Sequence, residues 1–392
     1  MSLTDLWKKS KSELQDKHVQ QIISFAGNGN LKDKNDTSDE FREFLKGIST
    51  DLICRYTDEC LNGSFSNSGF VLQDIVNQIG HRFGFTVEYG KYRGVINQIG
   101  FDGLWTLPNA HNIIIEVKTT DAYRINLDTL AEYRNKLIKN QTILEKKSSV
   151  LLVVGRQDTG DLEAQIRGSR HAWDMRLISV DALLRLMQLK QKVEDPSIIQ
   201  RIYDLLIPRE YTKLDEIVEI VFSTAEDVIE EEPDDDSDIE ESKSTKLTPV
   251  AFHKKCIDRI EKHLDLSLMQ QTRTQYTSSD GALSLICKVS KEYTKGGRGY
   301  WFGFQPYHKE MLEGTETAYM AFGCGSEDLI LMIPAKDFIP WLGGFNETIK
   351  GDRRSWHIHI SNVDKKLMLL RKTGYDSIDL NKYILLCSSR DS

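Results

Sequence analysis

The chain lacks what would send it to a membrane or out of the cell. No apolar run reaches the roughly 18 residues that a spanning helix needs. The opening MSLTDLWKKSKSELQ carries no apolar core of the kind a secretory signal has. The expected setting is therefore cytoplasmic, with no membrane partner. Cysteine is sparse as well. Cys54, Cys60, Cys256, Cys287, Cys324 and Cys387 include no CxxC pair, which argues against a zinc ribbon. A chain of 392 residues needs no disulfide framework, so these read as reduced thiols. Repeats of solenoid period are missing too.

What is present suggests two domains, since 40% of the residues are apolar, enough for real cores. The net charge of -8 looks unfavourable for a nucleic-acid partner, but it is unevenly spread. Residues 226–242 (EDVIEEEPDDDSDIEES) hold eleven acidic side chains and no Lys or Arg. Without them the balance moves from -8 to +3. Such a segment cannot bury enough surface to fold and reads as a self-repelling linker. A sharper alternative is a DNA mimic that covers a basic cleft, in which case deleting it raises basal activity. The expected divisions are a helical N-terminal extension over 1–68, a core domain over 69–223, an acidic linker over 224–246 and a second domain over 247–392.

The extension is polar and helical. Phe41, Phe44 and Leu45 form a stripe after a turn-rich segment, with Ser38 or Asp39 as the expected cap. The periodicity of 69–83 predicts a helix. Strands are expected at 84–90, 97–105 and 112–119, a helix at 125–146, and a buried strand at 149–155 (SVLLVVG). Further helices are expected at 161–170, 181–189, 198–206 and 214–222, around a short apolar piece at 176–180. The order predicts an α/β sandwich with an αβββαβ core. The second domain opens with a helix at 250–264. Strand signals follow at 283–289, 300–304, 318–322, 329–333, 356–360 and 366–370, some separated by turns such as GGRG (296–299). That pattern predicts an α+β domain with a mainly antiparallel sheet.

The strand HNIIIEVKT carries the strongest chemical signal. Alternation puts Glu116 and Lys118 on one face and Ile113, Ile115 and Val117 on the other. A charged pair on an apolar strand is costly unless it has a task. Thirteen residues separate Asp102 from Glu116, and the short connection TLPNAH would set the two carboxylates side by side. Two carboxylates at that range call for a cation, and hard oxygen ligands suit Mg²⁺, with Mn²⁺ as the alternative.

Asp102 followed by Glu116-Val117-Lys118, on strands between two helices, resembles the PD-(D/E)xK phosphodiesterase superfamily, which includes restriction endonucleases and Mrr-type nucleases. The resemblance covers about residues 69–155, more loosely to 190. It implies a restriction-endonuclease-like core and a Mg²⁺-dependent DNA endonuclease, in restriction or anti-phage defence, acting on double-stranded DNA. It also implies metal positions at Asp102, Glu116 and Val117, with Lys118 as the catalytic lysine. Many members carry a Glu on the first helix, where this chain has Gln73 beside Asp74. That departure leaves the metal count open. The family's proline before the Asp is replaced as well, with Gly100 and Phe101 ahead of Asp102.

Lys91 and Arg93 in YGKYRG, and Arg167 and Arg170 in AQIRGSR, are candidate phosphate contacts; ordinary surface charge is the alternative. Arg167 and Arg170 would share one side of a helix. In the second domain His357 and His359 share a strand face, with His308 and Cys324 the other available ligands, a thin basis for a metal. GYWFGFQPY reads as core, or else as a platform for a base. The second domain is expected to act in specificity or sensing, with a small molecule or modified base as its ligand. Cutting both strands takes two active sites, so a homodimer is expected. An RNase and an inactive DNA-binding module are the rival readings.

Overall fold

The computed structural model describes residues 2–63, 65–93, 99–119, 125–155, 160–208, 249–293, 299–350, 353–363 and 366–385. The chain divides into two compact units, Met1–Glu232 and Pro233–Ser392. The acidic segment, the helix expected at 214–222 and most of the GGRG turn lie outside the described residues.

The first unit begins with five helices: α1 (Leu3–Lys9), α2 (Lys11–Gln15), α3 (Val19–Phe25), α4 (Asp36–Gly47) and α5 (Thr50–Asn62). The stripe Phe41, Phe44 and Leu45 is buried, as its spacing predicts. The cap differs. Asn35 accepts from the Ser38 N–H, so α4 starts three residues earlier than expected and Ser38 and Asp39 lie in its first turn. Asn35 is the better cap because Ser38 turns its own hydroxyl back to the Asn35 carbonyl.

These helices share one apolar core with α6 (Ser68–Arg82). Val71, Leu72, Ile75, Val76 and Ile79 are all fully buried on α6, and so are the polar Asp74 and Asn77. A helix buried all round must satisfy its polar side chains internally. It stops at Gly84, whose positive φ of 85° lets its N–H reach His81 O while Phe85 N–H reaches Gly80 O.

The sheet follows: β1 (Thr86–Tyr89), β2 (Gly103–Thr106), β3 (Asn112–Lys118), β4 (Ser148–Val154) and β5 (Met175–Ser179), paired in that order. The first three are antiparallel, and β3, β4 and β5 are parallel. All seven residues of β4 are buried, as expected of a central strand. The short apolar piece at 176–180 becomes β5. The second strand begins only at Gly103, which leaves Asp102 just ahead of it. Between β3 and β4 runs α7 (Leu127–Lys139), shorter than its periodicity suggests. Its end is closed by Gln141 at φ 58°, with Gln141 N–H to Ile138 O and Thr142 N–H to Leu137 O. The helix α8 (Gly160–Arg167) packs with α7 on one face of the sheet. On the other face lie α6, α9 (Val180–Lys190) and α10 (Pro196–Asp204). The αβββαβ order expected from the sequence is present within this unit.

The second unit is α+β. One sheet contains β6 (Leu268–Gln270), β7 (Gln275–Ser278), β8 (Leu283–Ser290), β10 (Thr317–Cys324) and β11 (Ile330–Pro334). Their spatial order is β11-β10-β8-β7-β6, and the helix Pro249–Leu264 packs on this sheet. The other sheet joins β12 (Asn346–Lys350), β13 (Arg353–Val363), β14 (Lys366–Leu370) and β15 (Ile378–Asp379), with β9 (Gly299–Phe304) on β13. The single mainly antiparallel sheet expected here is thus two sheets, and β8 pairs β10 in parallel. The chain leaves β8 for β9 in the other sheet and returns through the helix Pro306–Glu313, the kind of crossover that parallel pairing requires. Among the described residues no helix is long and apolar enough to cross a membrane.

Candidate active site

The register of β2 on β3 pairs Gly103 with Ile115. One residue ahead of that pair comes Asp102, close enough to Glu116 for the two carboxylates to repel. The Asp102 N–H donates to Ile115 O at 3.0 Å, and its own carbonyl accepts from Gly90 N–H at 3.1 Å. Asp102, just ahead of β2, is thus bonded on both sides, its N–H meeting Ile115, the residue that Gly103 also faces. Its Oδ2 accepts from the Val117 N–H at 2.7 Å, which turns the carboxylate towards β3. Glu116 Oε1 lies 2.6 Å from Lys118 Nζ. Glu116 Oε2 is buried and meets no hydrogen-bond partner among the described residues.

The charges follow from this packing. Burial, then the neighbouring Glu116, pushes the Asp102 carboxyl up to about 7, against the pull of the Val117 N–H and Lys118. Burial alone would lower Lys118, but Glu116, and behind it Asp102, outweighs that and raises it. The Lys118 ammonium is thus firmly protonated, and its side chain is 38% exposed.

Two carboxylates that repel, one of them with an orphaned buried oxygen, are short of positive charge. Lys118 answers only Oε1. The donor set fits a hard divalent ion held by Asp102 and Glu116, the rest of its shell coming from water or a substrate oxygen. Among the described residues no group of three His, Cys, Asp or Glu side chains forms a fuller cage. Val117 turns its side chain into the apolar core, so it meets the site by backbone alone.

Three N–H groups grip the Asp102 carbonyl. Besides Gly90, Gln73 Nε2 donates at 3.1 Å and Asn77 Nδ2 at 2.9 Å. Gln73 Nε2 also lies 3.4 Å from Lys91 O. At Gln73, the expected ligand position of the first helix, the amide nitrogen turns to main-chain carbonyls and supports Asp102. Asn77 was not anticipated. It lies four residues after Gln73, on the same helical face, and that spacing is the signal that could have found it. Its Oδ1 accepts from Trp105 Nε1 at 3.0 Å. This close approach of α6 requires glycines: a Cβ on Gly103 would stand 2.1 Å from Asn77 Oδ1, and one on Gly80 would stand 2.6 Å from the Trp105 ring.

The basic candidates scatter. Lys91 is half-buried next to Gly90, and Arg93 is exposed. Arg167 lies 3.5 Å from Glu163, and Arg170 lies 2.7 Å from Asp128 beside His171. Because α8 ends at Arg167, Arg170 falls past it and the two share no helix face. A helix end at Gly168 explains this, since Gly168 N–H closes back on Ala164 O. Exposed pairs like these contribute little to stability. In the second unit Tyr300, Phe302 and Phe304 are buried, so that side of GYWFGFQPY is core. His308 is buried too, and its Nδ1 accepts from the Gln305 N–H.

No family model matches the chain. No curated protein matches it either. Among solved structures it is similar to a "Restriction endonuclease PspGI-substrate DNA complex". The identity is 14%, over 57% of this chain and 94% of that one, with a TM-score of 0.23. An overlap of that quality has no bearing on function, and the fold rests on the strand order itself.

Proposed function

We propose that the first unit is a Mg²⁺-dependent endonuclease that hydrolyses phosphodiester bonds in double-stranded DNA, with Asp102, Glu116 and Lys118 as its centre. The buried Glu116 Oε2, without a hydrogen-bond partner among the described residues and in a side chain that repels Asp102, carries this reading. Asp102 and Glu116 would hold a divalent ion there, and when bound it would supply a Lewis acid for the phosphate and a lowered pKa for a water. The Val117 N–H orients the Asp102 carboxylate, and the grip on its carbonyl keeps it close to Glu116. Lys118, charged and partly exposed, donates to a phosphate oxygen or holds the attacking water as negative charge develops. Lys91, next to the Gly90 that bonds Asp102, and Arg93 would take flanking phosphates. Arg167 and Arg170 would first have to leave their acidic partners. The second unit is read as a specificity or sensor domain with a small molecule or modified base as ligand. The whole is read as a cytoplasmic, homodimeric restriction or anti-phage nuclease.

Supercoiled plasmid incubated with Mg²⁺, with and without chelator, tests this for the native chain, Asp102→Ala and Lys118→Ala. The expected result is metal-dependent nicking or linearisation lost in both variants. Cleavage of structured RNA in place of plasmid would make it an RNase. No cleavage of either, on modified and unmodified DNA alike, would overturn the reading in favour of a binding module.

A further inference from the structure

Beside Gln73 on α6 begins a buried ion pair that the proposed reaction does not use. Asp74, on α6, is completely buried, and both its oxygens are taken. Oδ1 accepts from Arg42 Nε at 3.0 Å and Oδ2 from the Tyr92 hydroxyl. Arg42 comes from α4, and its guanidinium lies 4.3 Å from the Tyr89 ring centre and 5.0 Å from that of Tyr92. The Tyr92 ring packs on Phe70 at 4.9 Å, and its N–H donates to Asp33 Oδ1 at 2.8 Å. The ion pair joins α4 to α6 and, through the Tyr92 hydroxyl, to the turn after β1; the Tyr92 backbone N–H separately ties that turn to the loop before α4.

Such a pair is a poor stability device. Its desolvation cost rivals its attraction, and apolar replacements of similar shape are often neutral or better. Here the cost is visible: burial lifts the Asp74 carboxyl to about 6 even with Arg42 and Tyr92 against it. What the pair fixes is geometry. Tyr89 and Tyr92 bracket Gly90 and Lys91. Gly90 N–H holds the Asp102 carbonyl, and Lys91 O is met by Gln73, the neighbour of Asp74 on α6.

We propose that Arg42 and Asp74 are positioning residues: their buried pair pins the turn 89–92 against α6 and, through Gly90 and Gln73, sets Asp102 close to Glu116. The consequence for catalysis rests on the function proposed above; the pinning of the turn does not.

The test uses the full chain as Asp74→Asn, Arg42→Gln, Arg42→Lys and the apolar double variant Arg42→Met/Asp74→Leu. Calorimetric binding of Mn²⁺ alone, plasmid cleavage and amide exchange at Gly90 and Tyr92 are measured. The expectation for Asp74→Asn and Arg42→Gln is an Mn²⁺ affinity lower by roughly 10–100-fold, the range for groups that orient metal ligands. A fall in kcat larger than the change in KM and faster exchange at Gly90 should accompany it. Arg42→Lys should recover part of this, and the double variant should fold yet keep the defect. Folded variants with native Mn²⁺ affinity and native exchange would overturn the proposal. If the native chain neither binds Mn²⁺ nor cuts, the function fails, and exchange at Gly90 alone decides the pinning.

Discussion

Strands β3 and β13 each carry an ionisable pair two residues apart, opposite a row of buried apolar side chains. On β3 the pair is Glu116 and Lys118; on β13 it is His357 and His359, behind which Trp356, Ile358 and Ile360 are buried. The outcomes differ because of the neighbouring chain. Beside β3 the neighbouring chain delivers a second carboxylate, Asp102, and Glu116 Oε2 has no hydrogen-bond partner among the described residues. Beside β13, Thr348 Oγ1 bonds His357 Nε2 at 2.7 Å and the Trp301 ring lies 5.6 Å from the imidazole. Alternation puts two like-facing side chains on any strand. What sets β3 apart is that the next strand adds charge that the pair does not neutralise.

The sharpest way to break this comparison is activity. Asp102→Ala or Glu116→Ala should lower plasmid cleavage by at least about 10²–10³-fold, the scale for losing one preorganised charge-stabilising group. His357→Ala and His359→Ala should leave it unchanged. A loss in the histidine variants would show that the second unit contributes to the reaction.

Metal binding comes next. Mg²⁺ at a hundredfold excess over its Kd should stabilise the native chain by about 2.7 kcal/mol, read as a rise in Tm that chelator reverses. Glu116→Gln should abolish the rise, whereas His357→Ala should retain it.

Titration sharpens the contrast further. With its carboxyl at about 7, folded Asp102 binds its proton more tightly than in the unfolded chain, where the value is about 3.9. Its contribution is therefore fully present below about pH 4 and lost as pH rises through 7. Metal-free Asp102→Asn should gain stability over the native chain at pH 8 and little at pH 4. Each tenfold difference in proton affinity between the folded and unfolded chains adds about 1.4 kcal/mol to that gain. Mg²⁺ affinity should rise between pH 6 and 8 as the proton is displaced. His359 moves the other way, held below its ordinary value by burial and by His357, and a histidine NMR titration should show it.

The smallest effect tests the backbone. Gly103→Ala should cost about 1–3 kcal/mol by overpacking against Asn77. Gly303, which pairs with His357, has 3.5 Å to its nearest neighbour, so Gly303→Ala should cost far less.

Much of this was legible beforehand. The alternation in NIIIEVK and the apolar run of β4 identify their strands, and the short connection between β2 and β3 brings Asp102 to Glu116. Other features were hidden. The bond from the Gln73 amide to the Asp102 carbonyl depends on how α6 is rotated, which the helical periodicity alone does not fix. The strands Leu268–Gln270 and Gln275–Ser278 are short and polar, with little periodicity to read. The parallel pairing of β8 with β10 depends on β9 joining a different sheet, a long-range choice that no local pattern encodes.

Trp105 has a further consequence. Its indole is fully buried, packed against Gly80, and its N–H ends on the same Asn77 that holds Asp102. The chain thus carries a built-in optical probe two hydrogen bonds away from Asp102. Trp173, 69% exposed, supplies a wet reference in the same unit. Iodide should quench the second and spare the first; Trp7 and Trp356 are buried too, so the part of the unquenched blue signal that a Trp105→Phe variant loses is what reports on the neighbourhood of Asp102.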